Sequence, residues 1–329
     1  MADKEDGMIL VTGAAGFIGF HVARALLDQG RRVVGVDSLN YYYPPALKRA
    51  RLAELTGRKG FSFHEIDIAV EGRLAALAEA RDIDLVIHLA AQAGVRYSID
   101  HPFAYTAANV TGHLAVLEFA RHAPRAPRVL YASSSSVYGA SAKRPFTEGA
   151  RVDEPESLYA ATKRAGELMS ETYARLYAIP QIGLRFFTVY GPWGRPDMAY
   201  WLFTENILAG KPIRLFDKGV LERDFTYIDD IVDGVLKVAL LPMKLAGPVP
   251  HRIYNIGDNR PEKVTRLVEI IEKATGKKAE IQIEPMQKGD VRATFADISA
   301  LAADYGYAPK TTLEMGIPRF VEWYREYHK

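Results

Sequence analysis

Met8-Ile9-Leu10-Val11-Thr12-Gly13-Ala14-Ala15-Gly16-Phe17-Ile18-Gly19 is the stretch of sequence from which the fold of this chain is predicted. A short apolar run predicts a buried strand, and apolar residues at helical spacing begin at Phe17. Glycines between a strand and a helix let the backbone approach a phosphate, and the helix N-terminus offers it unpaired N–H groups. We therefore expect Gly13, Gly16, Phe17, Ile18 and Gly19 to bind a dinucleotide; a tight turn without a ligand is the alternative.

The glycine stretch opens a regular alternation of predicted strands and helices. Strands are predicted over 8–12, 32–37, 61–67, 84–90, 128–133 and 182–187. Helices are predicted over 17–29, 45–55, 70–80, 102–122 and 158–177. Strands that alternate with helices form a parallel sheet covered on both faces. The chain is therefore predicted to have an α/β fold built on a Rossmann-type doubly wound parallel sheet.

The pattern changes after residue 187, where shorter elements follow a turn-rich segment. Helices are predicted at 201–209, 228–240 and 261–275, the last with Pro261 in its first turn, and strands at 252–256 and 279–283. These elements predict a smaller C-terminal α/β substrate lobe. We expect a cofactor domain over 1–188 and about 224–250, and a substrate domain over about 189–223 and 251–329.

The composition limits the chemistry that the chain can perform. Its 329 residues include no cysteine, which excludes disulfides, thiol nucleophiles and thiolate metal ligands. The 42 Lys and Arg residues nearly balance the 40 Asp and Glu residues, so the charge does not indicate a nucleic-acid partner. The histidines are scattered, and no long uninterrupted apolar run occurs. We expect a cytoplasmic protein with no nucleic acid, no membrane and no metal partner.

The second predicted strand ends at Asp37, about 20 residues after the glycine stretch. A carboxylate at this position accepts hydrogen bonds from the ribose hydroxyls of adenosine and repels a 2′-phosphate. NAD is therefore the expected cofactor, rather than NADP, and a solvated strand-end carboxylate is the alternative. Asp67 and Ile68, at the end of the third predicted strand, are expected to lie near the adenine.

Tyr159 and Lys163 lie one helical turn apart in the helix predicted over 158–177, so they share one face of it. A lysine ammonium beside a phenol stabilises the phenolate, and the positive nicotinamide of an oxidised cofactor adds to this effect. We therefore expect a lowered pKa for Tyr159, which would make it a general base that takes the proton of an alcohol. The alternative is a pair of exposed helical side chains.

Four consecutive serines, residues 133–136, close the fifth predicted strand. Because ligands of a doubly wound sheet bind beyond the carboxyl ends of its strands, we expect these hydroxyls in the catalytic cleft. An ordinary polar loop is the alternative. Asn109, on the helix predicted over 102–122, could steady the cleft by hydrogen bonding, although an asparagine inside a helix is more often solvated.

Taken together, these motifs resemble the extended short-chain dehydrogenase/reductase family over essentially the whole chain. The shared features are the glycine stretch, Asp37, Leu89-Ala90-Ala91, Asn109, the serine run, and Tyr159 with Lys163. Longer strings at 90–98 (AAQAGVRYS), 185–197 (RFFTVYGPWGRPD), 223–230 (RDFTYIDD) and 289–291 (GDV) resemble the nucleotide-sugar 4-epimerases of that family, in particular those that act on UDP-glucuronate.

The resemblance implies a reaction and a cofactor. Tyr159 would take the proton of the sugar O4 while the C4 hydride passes to bound NAD, which gives a 4-keto sugar. The sugar would turn over, and the hydride would return to its other face, so that UDP-glucuronate and UDP-galacturonate interconvert. Because NAD is regenerated in each cycle, it can stay bound.

The resemblance also implies roles for individual residues. Tyr159, Lys163 and Ser134 would be catalytic, with Ser134 hydrogen-bonded to the sugar O4. The cofactor-binding residues would include Leu89, Ala90, Ala91, Asn109, Tyr159 and Lys163. The residues around the sugar would be Ser134, Ser135, Ser136, Tyr159, Thr188 and Arg195. Arg223 would bind the diphosphate, and Asp290 would bind the uridine ribose.

Residue types at the serine run favour an epimerase over its relatives. Dehydratases of this fold need an acid/base pair where this chain has Ser135 and Ser136, and decarboxylases of UDP-glucuronate generally carry a glutamate at the position of Ser136. A 4-epimerase of UDP-glucose or UDP-N-acetylglucosamine remains an alternative. A UDP-glucuronate decarboxylase or a non-catalytic NAD-binding regulator is less favoured, the regulator because Tyr159 and Lys163 are retained.

A 4-keto glucuronate is a β-keto acid, which loses CO₂ readily. An epimerase must therefore hold the carboxylate so that the breaking bond stays out of line with the carbonyl π system. We expect Ser135, Ser136 and Thr188 to do this, with Arg195 placing or closing the site.

The two long predicted helices, 102–122 and 158–177, carry apolar faces that could pair with copies of themselves. These faces include Val110, Leu114, Leu117, Ala161, Ala165, Leu168 and Met169. One face of each helix must in any case pack on its own sheet. A homodimer is also what the family resemblance implies.

Overall fold

The computed structural model describes residues 7–140, 143–245, 247–286 and 292–329. Its strands are β1 Met8–Thr12, β2 Val33–Asp37, β3 Phe61–Glu65, β4 Ile83–His88, β5 Arg128–Ser134, β6 Gln181–Phe186, β7 Thr188–Tyr190, β8 Ile213–Phe216, β9 Glu222–Tyr227, β10 His251–Ile256, β11 Pro261–Lys263 and β12 Ile281–Glu284. Its α-helices are α1 Phe17–Asp28, α2 Pro45–Leu55, α3 Tyr97–Asp100, α4 Pro102–Tyr105, α5 Gly112–His122, α6 Leu158–Tyr177, α7 Ala199–Ala209, α8 Ile228–Leu240, α9 Val264–Thr275, α10 Ser299–Tyr305 and α11 Leu313–Tyr327.

The central sheet of the described residues has seven strands in the order β10-β6-β5-β4-β1-β2-β3. Every pairing in it is parallel. All five residues of β2 and all six of β6 are buried, as expected of strands that helices cover on both faces. The order changes direction at β1, so the loops after β1 and β4 open a crevice at the carboxyl edge. The α/β doubly wound fold predicted from the sequence is confirmed.

One strand lies in a different place from the one expected. The strand predicted at 252–256 was grouped with the C-terminal lobe, but as β10 it pairs with β6 at the edge of the central sheet. The sheet therefore has seven strands where six were predicted, within the part of the chain that the structure describes. A hydrophobic pattern predicts a strand but not its partner, which is set by a contact across a long stretch of chain.

Two predicted helices differ from the structure. Residues 70–80 form consecutive turns followed by a 3₁₀ turn at Ala80–Asp82, because Gly72 has a φ of +77° that ends any helix there. The helix predicted over 102–122 is divided into α4, a π-helical segment Thr106–Thr111, and α5. The π segment carries Asn109, and such segments frequently occur at functional sites.

The expected helix at 261–275 also begins later than predicted. Pro261 lies in β11, opposite Asp224 of β9 in an antiparallel pair, and α9 starts at Val264. A proline is tolerated in so short an edge strand because no ladder hydrogen bond needs its missing N–H.

The C-terminal elements cover the carboxyl edge of the central sheet. Among described residues, β11-β9-β7 form a three-stranded sheet and β12-β8 a two-stranded one. The helix α8, which belongs to the expected cofactor domain, packs against α1, and one apolar core runs through both parts of the chain. The division into a cofactor domain and a substrate domain remains a prediction.

Candidate active site

A cavity of about 430 Å³ lies between the carboxyl edge of the central sheet and the C-terminal elements. Most of the residues singled out in the sequence line it: Gly13, Gly16, Phe17, Ile18, Gly19, Asp37, Asp67, Ile68, Leu89, Ala90, Ala91, Ser134, Ser135, Ser136, Tyr159, Lys163, Thr188, Arg195 and Arg223. Asp290 and the rest of the string 289–291 lie outside the described residues. The fold thus brings together side chains that are far apart in the sequence.

The glycine stretch forms a turn in which side chains have no room. Gly13 has a φ of +74°, and a Cβ on it would lie 2.7 Å from the backbone nitrogen of Ala90. A Cβ on Gly19 would lie 2.0 Å from the carbonyl oxygen of Gly13. The turn leads directly into α1, whose first N–H groups face the cavity end of the sheet. This arrangement fits the pyrophosphate of a dinucleotide.

Asp37 lies at the carboxyl end of β2 and is 8% exposed. Its carboxylate accepts hydrogen bonds from the backbone N–H groups of Leu39, at 2.8 Å, and Ala15, at 3.2 Å. The ammonium of Lys48 lies 3.7 Å from the same carboxylate and donates to Asn40. These bonds fix the carboxylate at the cavity wall, a position that suits the ribose hydroxyls of NAD. The sequence does not predict this contact of Lys48, because a single lysine on the following helix is not a recognisable motif.

Asn109 is buried and hydrogen-bonded to protein on all sides. Its carbonyl oxygen accepts from the backbone N–H of Gln92 at 2.8 Å, and its amide donates to the Gln92 carbonyl and to the Thr162 hydroxyl, each at 3.0 Å. It therefore ties the loop after β4 to α6. Asn109 does not line the cavity itself, and its hydrogen bonds hold in place the backbone that does.

Tyr159 and Lys163 lie on the cavity face of α6, one turn apart. Burial raises the pKa of the Tyr159 phenol, while a hydrogen bond with Ser134 and the positive charge of Arg195 act in the opposite direction. The expected lowering of this pKa is therefore not produced by the surrounding protein groups, because desolvation of the phenolate outweighs them.

Lys163 donates a 2.8 Å hydrogen bond to the carbonyl oxygen of Ala132 in β5. Burial lowers the pKa of Lys163 to about 8, and the negative charge of Glu167 opposes this effect. Most of the lysine is thus positively charged at neutral pH. Glu167 lies one turn further along α6 and acts on the catalytic pair through Lys163. No motif in the sequence points to this residue.

The four serines do not act as one group. The Ser133 hydroxyl donates to Glu167 at 2.6 Å, and Glu167 also forms a two-bond ion pair with Arg185 at 2.8 and 2.9 Å. Ser134 accepts from the backbone N–H of Ser136 at 3.2 Å and so caps the 3₁₀ turn that follows β5. All four serines line the cavity, as expected, but the Ser133 hydroxyl is already committed to Glu167, which leaves those of Ser134, Ser135 and Ser136 to meet a ligand.

Arg195 lines the cavity as part of a small polar cluster. Its guanidinium binds both carboxylate oxygens of Asp197, with Nε 3.0 Å from Oδ1. Tyr42, from the loop after β2, donates to the same carboxylate at 2.8 Å. This bridge joins the cofactor side to the substrate side across the mouth of the cavity. The sequence signal that could have pointed to Tyr42 is a run of three tyrosines just after the Asp37 strand.

Thr188 begins β7 and Arg223 lies in β9, two strands that lie side by side in the three-stranded sheet. The Arg223 guanidinium donates to the backbone carbonyl oxygen of Glu222 at 2.8 Å. Both side chains reach the cavity wall.

Two further properties of the described ranges bear on partners. No helix in them combines the length and the apolar composition needed to cross a membrane. No group of three or more His, Cys, Asp or Glu side chains among the same residues is arranged to hold a metal ion.

Comparison with known proteins agrees with this geometry. The model of the NAD dependent epimerase/dehydratase family matches residues 9–257. UDP-glucuronate 4-epimerase 5 of Arabidopsis thaliana is 48% identical, over 97% of this chain and 76% of the plant protein. A probable UDP-glucuronate 4-epimerase of Rhizobium meliloti is 44% identical over 97% of both chains. The crystal structure of UDP-glucuronic acid 4-epimerase from Bacillus cereus, in complex with UDP-glucuronic acid and NAD, is 34% identical and superposes with a TM-score of 0.90 over 97% of this chain and 99% of that one.

Proposed function

Because the chain belongs to the NAD dependent epimerase/dehydratase family, we propose that it is a UDP-glucuronate 4-epimerase that interconverts UDP-glucuronate and UDP-galacturonate. The observation that carries the proposal is the cavity in which a glycine turn, Tyr159 with Lys163, and a hydroxyl-rich wall meet. The relatives that are named for this activity match nearly the whole chain.

The cofactor site is proposed from the geometry of the cavity wall. We assign NAD binding to Gly13, Gly16, Phe17, Ile18, Gly19, Asp37, Asp67, Ile68, Leu89, Ala90, Ala91, Tyr159 and Lys163, with Asn109 holding the loop behind them. When bound, NAD accepts the C4 hydrogen with its electron pair and later returns it to the sugar. The Asp37 carboxylate favours NAD because a 2′-phosphate would meet a second negative charge.

Tyr159 is the proposed proton acceptor for the sugar O4. Ser134 lines the same cavity, and its hydroxyl would share the O4 proton with the phenol. Lys163 is largely protonated at neutral pH and adds a positive charge on the same helix face, which favours the phenolate. Together the three residues hold and move one proton at O4.

The carboxylate of the substrate needs separate control, since the 4-keto intermediate is a β-keto acid. We propose that Ser135, Ser136 and Thr188 donate to the carboxylate from one wall and that Arg195 faces it from the other. Donors that hold the carboxylate in place keep the C5–C6 bond out of alignment with the π system of the C4 carbonyl, so CO₂ is retained. Arg223 is proposed to bind the diphosphate and Asp290 the uridine ribose.

We propose that the enzyme is a homodimer. Phe103 is 86% exposed, Leu168 50% and Leu114 39%, and they lie on α4, α6 and α5, which pack against one another. Leu117, by contrast, is fully buried within the chain. Exposed apolar residues on three neighbouring helices suit pairing with a second copy. A cytoplasmic location and the supply of galacturonate for polysaccharide synthesis are proposed with it, the former because a cysteine-free chain suits a reducing compartment.

The test is a ¹H NMR time course of UDP-glucuronate with the purified protein and no added NAD. UDP-galacturonate should accumulate to a near-even ratio without a UDP-pentose. Tyr159→Phe should stop the reaction, while a conservative change at the exposed Tyr41, which lies outside the cavity lining, should not. Turnover of UDP-N-acetylglucosamine with none of UDP-glucuronate would favour the alternative epimerase, and a UDP-pentose as the main product would favour a decarboxylase.

A further inference from the structure

Arg51 is a fully buried arginine on α2, outside the cavity wall. Its guanidinium donates to the carbonyl oxygens of Ala15, at 2.9 Å, and Gly194, at 2.8 Å. It also donates to the Trp193 carbonyl from both Nε, at 3.1 Å, and Nη2, at 2.6 Å, and to the Tyr43 hydroxyl at 2.7 Å. These five bonds use all five N–H groups of the side chain.

The acceptors belong to two loops with different proposed tasks. Ala15 lies between Gly13 and Gly16 in the turn assigned to the NAD pyrophosphate, and its own N–H binds Asp37. Trp193 and Gly194 directly precede Arg195, the residue that faces the sugar. One planar cation therefore fixes both the cofactor turn and the loop that carries a substrate residue.

A buried cation that binds only neutral oxygens is costly, since several kcal/mol of hydration must be replaced, so its geometry needs a reason. The Trp193 backbone has a φ of +60°, an unfavourable conformation for a bulky residue, and its carbonyl receives two of the five bonds. His21 of α1 adds a 3.0 Å contact to the Pro192 carbonyl. The loop ahead of Arg195 is thus held in a strained shape by two helices of the cofactor side.

We propose that Arg51 is a positioning residue that couples occupancy of the NAD turn to the placement of Arg195, and hence to binding of the sugar acid. A dinucleotide that orders the glycine turn fixes the Ala15 carbonyl, which fixes the guanidinium and, through it, the peptides 193 and 194. The coupling rests on the proposed function, because it takes the acidic sugar as the group that Arg195 meets. By thermodynamic linkage, binding of the sugar acid must then tighten NAD binding by the same factor.

The test is a calorimetric titration with UDP-glucuronate of the full-length protein from which retained NAD has been removed, with and without saturating NADH, which occupies the cofactor site but cannot oxidise the sugar. In the wild type, NADH should tighten UDP-glucuronate binding at least about fivefold. Arg51→Lys keeps the charge but cannot reach both loops with one planar group, and it should bring this ratio close to one. Arg49→Lys, the same change at an exposed position of the same helix, should keep the wild-type ratio.

A second ligand, UDP, distinguishes an effect of Arg51 on binding of the acidic sugar from a general effect on nucleotide binding. UDP lacks the acidic sugar, so its response to NADH should be the same in all three proteins. The proposal is overturned if Arg51→Lys folds and keeps the wild-type ratio, if the UDP response falls equally, or if the wild type shows no coupling. Failure of Arg51→Lys and of Arg51→Gln to fold would assign Arg51 to folding and overturn it as well. If the wild type does not bind UDP-glucuronate at all, the proposed function fails first.

Discussion

Replacing Glu167 by Gln tests how the protein keeps Lys163 charged. Glu167 is fully buried and lies one helical turn from Lys163, whose pKa burial lowers to about 8 while Glu167 opposes that lowering. Glutamine keeps the shape and the acceptor oxygen for Ser133 but removes the negative charge. The pKa of Lys163 should therefore fall below its present value.

The magnitude follows from the titration curve. If the pKa falls from about 8 to roughly 7, a change of about 1.4 kcal/mol, the protonated fraction at pH 7.5 drops about threefold. The alkaline limb of kcat/KM should then move to lower pH by a similar amount, with the rate at low pH much less affected. The measurement is the pH profile of UDP-galacturonate formation between roughly pH 6 and 9.

Stability must be followed in the same variant. Glu167 forms the two-bond ion pair with the buried Arg185, and removal of one partner of such a pair costs about 3–5 kcal/mol. Glu171→Gln, the same change one turn further along α6 at a partly exposed position, is the matched control. A folded Glu167→Gln variant whose alkaline limb coincides with those of the wild type and Glu171→Gln would refute the reasoning.

Three further outcomes are expected. Burial raises the pKa of Glu167, but Arg185 and Ser133 outweigh burial, so the pKa is lowered. The stability that Glu167 contributes is therefore present above the ordinary carboxyl pKa and is lost as the pH falls through the lowered value. In urea denaturation between pH 3 and 7, the wild type should lose stability towards acid more steeply than Glu167→Gln. Asp37→Ser should raise the affinity for NADP relative to NAD at least about tenfold in fluorescence titrations of the reduced cofactors, because it removes the repulsion and leaves Lys48 beside the 2′ position; an unchanged ratio would contradict this. Leu168→Glu should shift the mass in light scattering from dimer to monomer, whereas the same change at Leu245, exposed elsewhere, should not.

Local signals in the sequence were sufficient for much of the fold. The helix α6 has the predicted limits because Ser157 caps its N-terminus and its apolar residues keep helical spacing. The prediction was wrong at 70–80, where apolar spacing was read as a helix although Gly72 stands in a left-handed conformation. It also missed the place of β10, whose pairing with β6 depends on contacts that no local pattern encodes.

The same distinction holds within the site. Residues in motifs, such as the glycine turn and Tyr159 with Lys163, could be found because their spacing carries the chemistry. Tyr42 and Asp197 meet across 155 residues of sequence, and Arg51 reaches two loops, so neither contact leaves a local signal. The direction of the Tyr159 pKa was likewise out of reach, because burial depends on the packed structure.

An epimerase of this kind must hold the cofactor still and yet let the sugar turn over. A different wall of the cavity serves each of these two requirements. The wall built on the parallel sheet must not move, since the hydrogen removed from C4 has to return to the same atom. Its Asp37 and Asn109 side chains are held by hydrogen bonds to the backbone. The sugar, however, must turn over between the two transfers. Under the assignment proposed above, Arg195 faces the sugar from the other wall, and its partner Asp197 is a side chain, which can be displaced without moving the backbone.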